Sequence, residues 1–100
     1  MRRGTTPTNT FSVNLDLTGA TVFVSYEQDR CVVLEKTGED LEISADKVVL
    51  ELSQEDTLAF RPGDVCIQIR AVMPDGTAVA SNIIQTTFQR IIKDGVIEHV

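Results

Sequence analysis

Apolar and polar residues alternate along most of this chain. Phe11, Val13 and Leu15 are separated by Ser12, Asn14 and Asp16; Val22, Val24 and Tyr26 by Phe23 and Ser25; Val48, Leu50 and Leu52 by Val49, Glu51 and Ser53; and Val65, Ile67 and Ile69 by Cys66, Gln68 and Arg70. A period of two belongs to a strand with one face buried. Two further segments, Cys31 to Lys36 and Leu41 to Ile43, read as a strand and a short strand. Ala78 to Ile92 is too long for one unbroken strand, so a bulge is expected near Ala80–Asn82. Turn chemistry sits between these runs. Thr18-Gly19, the polar Glu27–Arg30 segment, Thr37–Asp40, Met73-Pro74-Asp75-Gly76-Thr77 and Lys93-Asp94-Gly95 all supply residues that accept turn geometry.

The stretch LSQEDTLAFRPGDVCIQIR, Leu52 to Arg70, breaks the alternation. Ser53 is a good helix N-cap and Asp56, three residues on, makes a short version of the capping box. Glu55 and Asp56 fall in the first turn, where the helix dipole favours negative charge. Leu58 and Phe60 are able to point to the core, and Pro62-Gly63 stops the helix. The acids are thus helix-start residues that link two strands, not a reaction centre.

About seven short strands, with turn signals roughly every eight to twelve residues, predict an all-β fold. The expectation is an immunoglobulin-like antiparallel β-sandwich with one short helix between strands E and F. The 100 residues make a single domain, with 1–8 as a flexible or frayed end and 93–100 as a C-terminal tail.

Composition removes several functions. The net charge of −6 and the scattered Lys and Arg argue against nucleic acid and against anionic lipid. No apolar run reaches membrane-span length, and the polar MRRGTTPTNT start lacks a signal-peptide core, so the expected setting is the cytoplasm with reduced thiols. The one histidine, His99, lies in the tail, where packing would not hold it as a general base. The cysteine and histidine spacing fits no zinc motif, no loop has calcium-ligand spacing, and the isolated glycines form no phosphate loop. With one Tyr and no Trp there is no aromatic platform for sugars or single-stranded nucleic acid. No catalytic residue, cofactor or metal is expected, and no enzyme activity.

Apolar residues that alternate away from the core carry the remaining information. Val33, Val49, Cys66, Val72, Ile83 and Ile91 are of this kind, and clustered they would mark a partner surface. If Val32 and Leu34 face inward, Cys31 faces out. If Val65, Ile67 and Ile69 face inward, Cys66 faces out with Gln68 and Arg70. The third and sixth strands neighbour each other in an immunoglobulin sandwich, which would bring both thiols to one outer face. The ending FQRIIKDGVIEHV adds Ile92, Val96 and Ile97, which dock on their own domain or on a neighbour. The expected partner-binding residues are therefore Cys31, Val33, Cys66, Gln68, Arg70, Ile92, Val96 and Ile97.

Four stretches, RRGTTPTNTFSVNLDLTGATVFVSYEQ, LSQEDTLAFRPGDVCIQIR, DGTAVAS and RIIKDGVI, in this order and spacing, resemble small proteins encoded in the tail modules of Firmicute phages and prophages. The chain is also similar, more loosely, to the immunoglobulin-like N-terminal domain of phage baseplate upper proteins. The DLTG turn and the E-x-T before a Pro-Gly turn are the most specific parts. The resemblance implies a non-enzymatic structural or adaptor role in a tail or baseplate, with other tail proteins or itself as partner, as a homo-oligomer in the latter case. It implies expression in the bacterial cytoplasm, and association with the virion. The chain lacks the tryptophan, disulfide and tyrosine corner of antibody domains, with Asp64 two residues before Cys66. The rival expectations are a binding module for a host-surface carbohydrate or protein, and a small thiol enzyme.

Overall fold

In a computed structural model, which describes residues 1–98, the alternating segments pair into two antiparallel sheets that pack face to face. His99 and Val100 lie outside the described residues. The first strand, β1 (Thr8–Ser12), follows Pro7 and is rich in β-branched threonine. It pairs with β5 (Lys47–Glu51), Thr8 opposite Glu51 and Ser12 opposite Lys47. β4 (Glu42–Ile43) takes the other edge of β5 and completes a three-stranded sheet. The first strand thus lies earlier than the alternation around Phe11–Asp16 predicts. Asp16 accepts a hydrogen bond from the Thr18 N–H at 3.0 Å and turns the chain out of the ladder. Leu15 is left exposed and Leu17 takes the buried place.

The larger sheet holds β2 (Thr21–Gln28), β3 (Cys31–Thr37), β6 (Gly63–Val72), β7 (Ala78–Ala80) and β8 (Ile84–Phe88). β2 is flanked by β3 and β6, and the far edge of β6 pairs with both β7 and β8. Asp29 and Arg30 have φ of 50° and 65°, the two-residue turn whose twist matches a hairpin. Asp29 also forms an ion pair with Arg61. So short a turn forces β3 to lie beside β2. The helix falls between the fifth and sixth strands, β5 and β6, where it was expected. The third and sixth strands are not neighbours: β2 separates them, which corrects the expectation that Cys31 and Cys66 share one patch.

The predicted last strand is broken at 81–83, where the bulge was expected. Ser81 replaces a regular rung: its N–H donates to the Ile69 carbonyl at 2.8 Å, and its hydroxyl accepts the Ile69 N–H at 3.0 Å. β7 and β8 are the two halves of one strand position, so seven positions are filled.

The helix α1 (Gln54–Leu58) carries the predicted capping box. Ser53 Oγ accepts from the Asp56 N–H at 3.0 Å and Asp56 Oδ2 accepts from the Ser53 N–H at 2.9 Å. Asp56 also pairs with Lys36 Nζ at 3.1 Å, and both side chains are largely covered. Lys36 lies opposite the buried Val24, so it reaches from an inward position on the sheet edge to the helix. Burial opposes ionisation of Asp56, but the Ser53 N–H and Lys36 together outweigh it and hold the carboxyl below its ordinary value.

Three buried aromatic rings pack against one another in the core. Phe60 stacks on Phe88 with centroids 4.4 Å apart, and Tyr26 meets Phe60 edge to face at 5.8 Å. The Tyr26 hydroxyl accepts from Asn9 Nδ2 at 2.7 Å, and burial raises its pKa to about 12. Gln28 is a buried polar anchor beside them. Its amide donates to the Arg61 carbonyl at 2.8 Å and accepts the Arg61 N–H at 2.9 Å, which holds the Arg61–Asp64 turn to β2. The first residues are tied down by the same region. The Met1 ammonium donates to the Thr87 carbonyl, Arg2 bridges Gln89 in parallel, and Arg3 donates to the Phe60 and Leu58 carbonyls at 2.6 and 3.0 Å.

Candidate functional site

Directly opposed residues in an antiparallel pair point to the same face. Val24, Tyr26, Ile67 and Ile69 are buried, so Phe23, Ser25 and Glu27 on β2 and Cys66, Gln68 and Arg70 on β6 point outward. The register aligns them in three rungs. The first runs Thr37–Phe23–Arg70–Ala80, the second Glu35–Ser25–Gln68, and the third Val32–Glu27–Cys66–Gln85. Val72 continues one end, and Ile83 lies beside the third rung, where it lines one shallow depression with Val32, Cys66 and Gln68.

This outer face is unusually apolar for solvent. Phe23, Val32, Val72 and Ile83 are 39, 60, 47 and 65% exposed. A second depression, lined by Phe23, Arg70, Val72 and Glu35, adjoins the first across Ser25. Arg70 has no acidic partner among the described residues, and neither Glu27 nor Glu35 has a basic one. Glu35 accepts only a long hydrogen bond, 3.4 Å, from the Ser25 hydroxyl. Gln68 donates to the Ser81 carbonyl at 3.0 Å, which fixes its amide at the break between β7 and β8.

Of the residues expected to bind a partner, Cys66, Gln68 and Arg70 stand in a row on this face. Val33 does not: it packs against the core. The register between β2 and β3 slips at Tyr26/Glu27, so Leu34 opposes Tyr26 but Val32, not Val33, opposes Glu27. One extra residue reverses the side on which the following residues point. Cys31 lies opposite the inward Gln28 and is exposed at the sheet's end, not on the outer face with Cys66. Ile92, Val96 and Ile97 expose their side chains, while the Ile97 backbone is held by Gln54: the Gln54 amide donates to its carbonyl at 3.0 Å and accepts its N–H at 2.8 Å. Arg3 adds a 3.4 Å ion pair to Asp94. The tail is therefore fastened to α1 and to the N-terminal segment of its own domain. Among the other outward candidates, Val72 and Ile83 join the face, Val49 lies on the smaller sheet opposite Thr10 and Glu42, and Ile91 is half-buried with its side chain close to Gly4. Phe23, Ser25, Glu27 and Val32 were not singled out by sequence; an aromatic in the solvent phase of β2 was the available signal.

The face offers little for bond-making chemistry. A thiol becomes nucleophilic beside a cation or an imidazole, and the ladder partners of Cys66 are Glu27 and Gln85. Among the described residues no cluster of three or more His, Cys, Asp or Glu is placed to hold a metal ion. No helix is long and apolar enough to cross a membrane. Comparison with protein-family models, with curated proteins and with solved structures finds no match for this chain.

Proposed function

We propose that the protein is a non-enzymatic structural or adaptor module of a phage or prophage tail or baseplate that works through protein–protein contacts on the outer face of its larger sheet. One observation carries the contact role: that face sets Phe23, Val32, Val72 and Ile83 toward solvent around a row of Ser, Gln and Cys, and holds its few charges unpaired. Aromatic and aliphatic residues with few charges are the composition of an interface centre. The tail or baseplate setting rests on the resemblance of the DLTG and E-x-T–Pro-Gly stretches. Mass spectrometry of particles purified from the strain that encodes the chain is the test. The chain should co-purify with tail proteins at a fixed stoichiometry. Its absence from both finished particles and assembly intermediates would sink the tail assignment.

A further inference from the structure

The two sides of the sandwich are closed differently. On one side the chain itself crosses between the sheets, from β3 through Gly38–Asp40 to β4, and the strands there carry Glu35, Lys36 and Glu42. On the other side the edges are β1 in the smaller sheet and β7–β8 in the larger. From Gly76 to Gln89, which includes both β7 and β8, there is no charged residue and no proline. Such residues are what commonly guards an edge strand against pairing with another chain. A cleft of about 400 Å³ opens between the sheets here, lined by Leu15 and Leu17 from the segment after β1 and by Val79 and Ile84 from the larger sheet. Val79 opposes the buried Ala71 and Ile84 the buried Ile67, so both point into the sandwich. Ile84 and Leu15 are nevertheless 41 and 47% exposed, so the core is uncovered at this mouth.

The backbone along the larger sheet's edge is aligned for one kind of occupant. The Ser81 N–H bonds inward to Ile69, so by the alternation of an antiparallel ladder Ala78 and Ala80 turn their N–H and C=O groups to the free edge. Further along, the Thr87 carbonyl accepts from the Met1 ammonium, and the Gln89 N–H donates to the Met1 carbonyl. Gln85, two residues before Thr87, turns outward in the same phase. Ala78, Ala80 and Gln85 have no backbone partner on this side among the described residues. The chain's own Met1–Arg3 segment thus already adds a parallel rung at one end of the edge, and the other end stands open above the cleft. We infer that an extended segment of a partner protein adds to the sheet along Ala78–Gln85, beside the rung made by Met1–Arg3, and sends alternate apolar side chains into the cleft between Leu15 and Ile84. In strand addition of this kind main-chain hydrogen bonds supply the affinity, and pockets for alternate side chains the selectivity. The neutral lining selects uncharged side chains, since a charge buried there would lose its water without gaining a partner. The site lies at the mouth of the sandwich, apart from the outer face, and does not depend on the contact role proposed above.

The test is an amide NMR titration of the full chain with synthetic peptides of about eight residues, the length of an ordinary strand. They carry Val, Ile or Leu at alternate positions, Thr between them, and a lysine at each end for solubility. At least one should bind with a Kd below about 1 mM, shift the amides of Ala78, Ala80 and Gln85, and slow their exchange with solvent. The same peptide with its Thr residues replaced by proline has lost alternate N–H donors and should not bind. Ala80→Pro removes an outward N–H but no rung to β6, and should weaken binding about tenfold or more. Leu15→Asp charges the cleft from an exposed position off the ladder and should do the same, so the test stands even where Ala80→Pro disturbs the strand. Failure of every peptide to bind overturns the inference, as do shifts that fall on Phe23, Val32 and Cys66 instead of the edge. Protection of Ala78, Ala80 and Gln85 that grows with protein concentration in the absence of peptide assigns the edge to a second copy of the chain, and overturns it too.

Discussion

The two outer faces of the sandwich are built from the same strand geometry and look unlike each other. On the smaller sheet, Thr8 opposes Glu51, Ser12 opposes Lys47, and Val49 sits between Thr10 and Glu42. One half-covered valine stands among hydroxyls and charges, and Glu39, Asp40, Glu42 and Glu51 gather at one side. Such a face is stable in water and resists association with its own kind. On the larger sheet the same outward positions carry Phe23, Val32, Cys66 and Val72, with Arg70, Glu27, Glu35 and Asp64 as the charges among them. Exposed apolar area without surrounding charge signals covering by another molecule. Both faces share one core, so the difference is not a demand of folding. On the contact role proposed above, it reflects what each face meets.

That contrast can be broken or sharpened by mutation, and the largest effect should come where the faces have a common support. Phe60→Ala removes the ring that touches both Tyr26 and Phe88 and should cost about 3–5 kcal/mol, read by denaturant unfolding. Both faces should be lost together. Gln28→Ala strips the Arg61 N–H and carbonyl of their partners and should cost roughly 1–3 kcal/mol, with the Arg61–Asp64 turn loosening first in amide exchange. Ser53→Ala removes the cap of α1 and should cost about 1 kcal/mol.

The Asp56 carboxyl is more acidic in the fold than in the unfolded chain. Its contribution is therefore complete above the ordinary value of 3.8 and is lost as pH falls from there through the lowered native value. Acid titration of stability should show this loss, and Asp56→Asn should flatten it; an unchanged acid limb would rule out the Ser53–Asp56–Lys36 linkage. The smallest stability effects, within about 0.5 kcal/mol, are expected for Val32→Thr and Val49→Thr on the two outer faces. The contrast between the faces predicts that Val32→Thr, and not Val49→Thr, weakens association with tail proteins. Equal behaviour of the two in co-purification with them would erase the distinction.

Much of the frame was legible in the residues. Val48, Leu50 and Leu52, and Val65, Ile67 and Ile69, point inward as their alternation predicts. Ser53 and Asp56 form their box because both partners are local. The break after Ala80 falls where strand length demanded one. The Asp29-Arg30 hairpin was harder to read, because both residues adopt a conformation usually reserved for glycine or asparagine. Glu27–Arg30 read as a turn, and it was the immunoglobulin strand order, with its third and sixth strands adjacent, that placed β3 beside β6. In Cys31-Val32-Val33-Leu34 both phases are apolar, so alternation alone had no way to choose the inward side.

The sequence by itself determined the period, the turns, the capped helix and the β-sandwich class, since these depend on residues within a few positions of one another. The tertiary structure decided which strands are neighbours, which side of β3 faces the core, that Gln28 and Lys36 reach across to Arg61 and Asp56, and that the tail is held by Gln54. Those outcomes depend on partners far along the chain, and a single slip at Tyr26/Glu27 is enough to move Val33 inward and Val32 out. The apolar outer face exists only after β2, β3 and β6 are aligned, because Phe23, Val32 and Cys66 come from three separate strands.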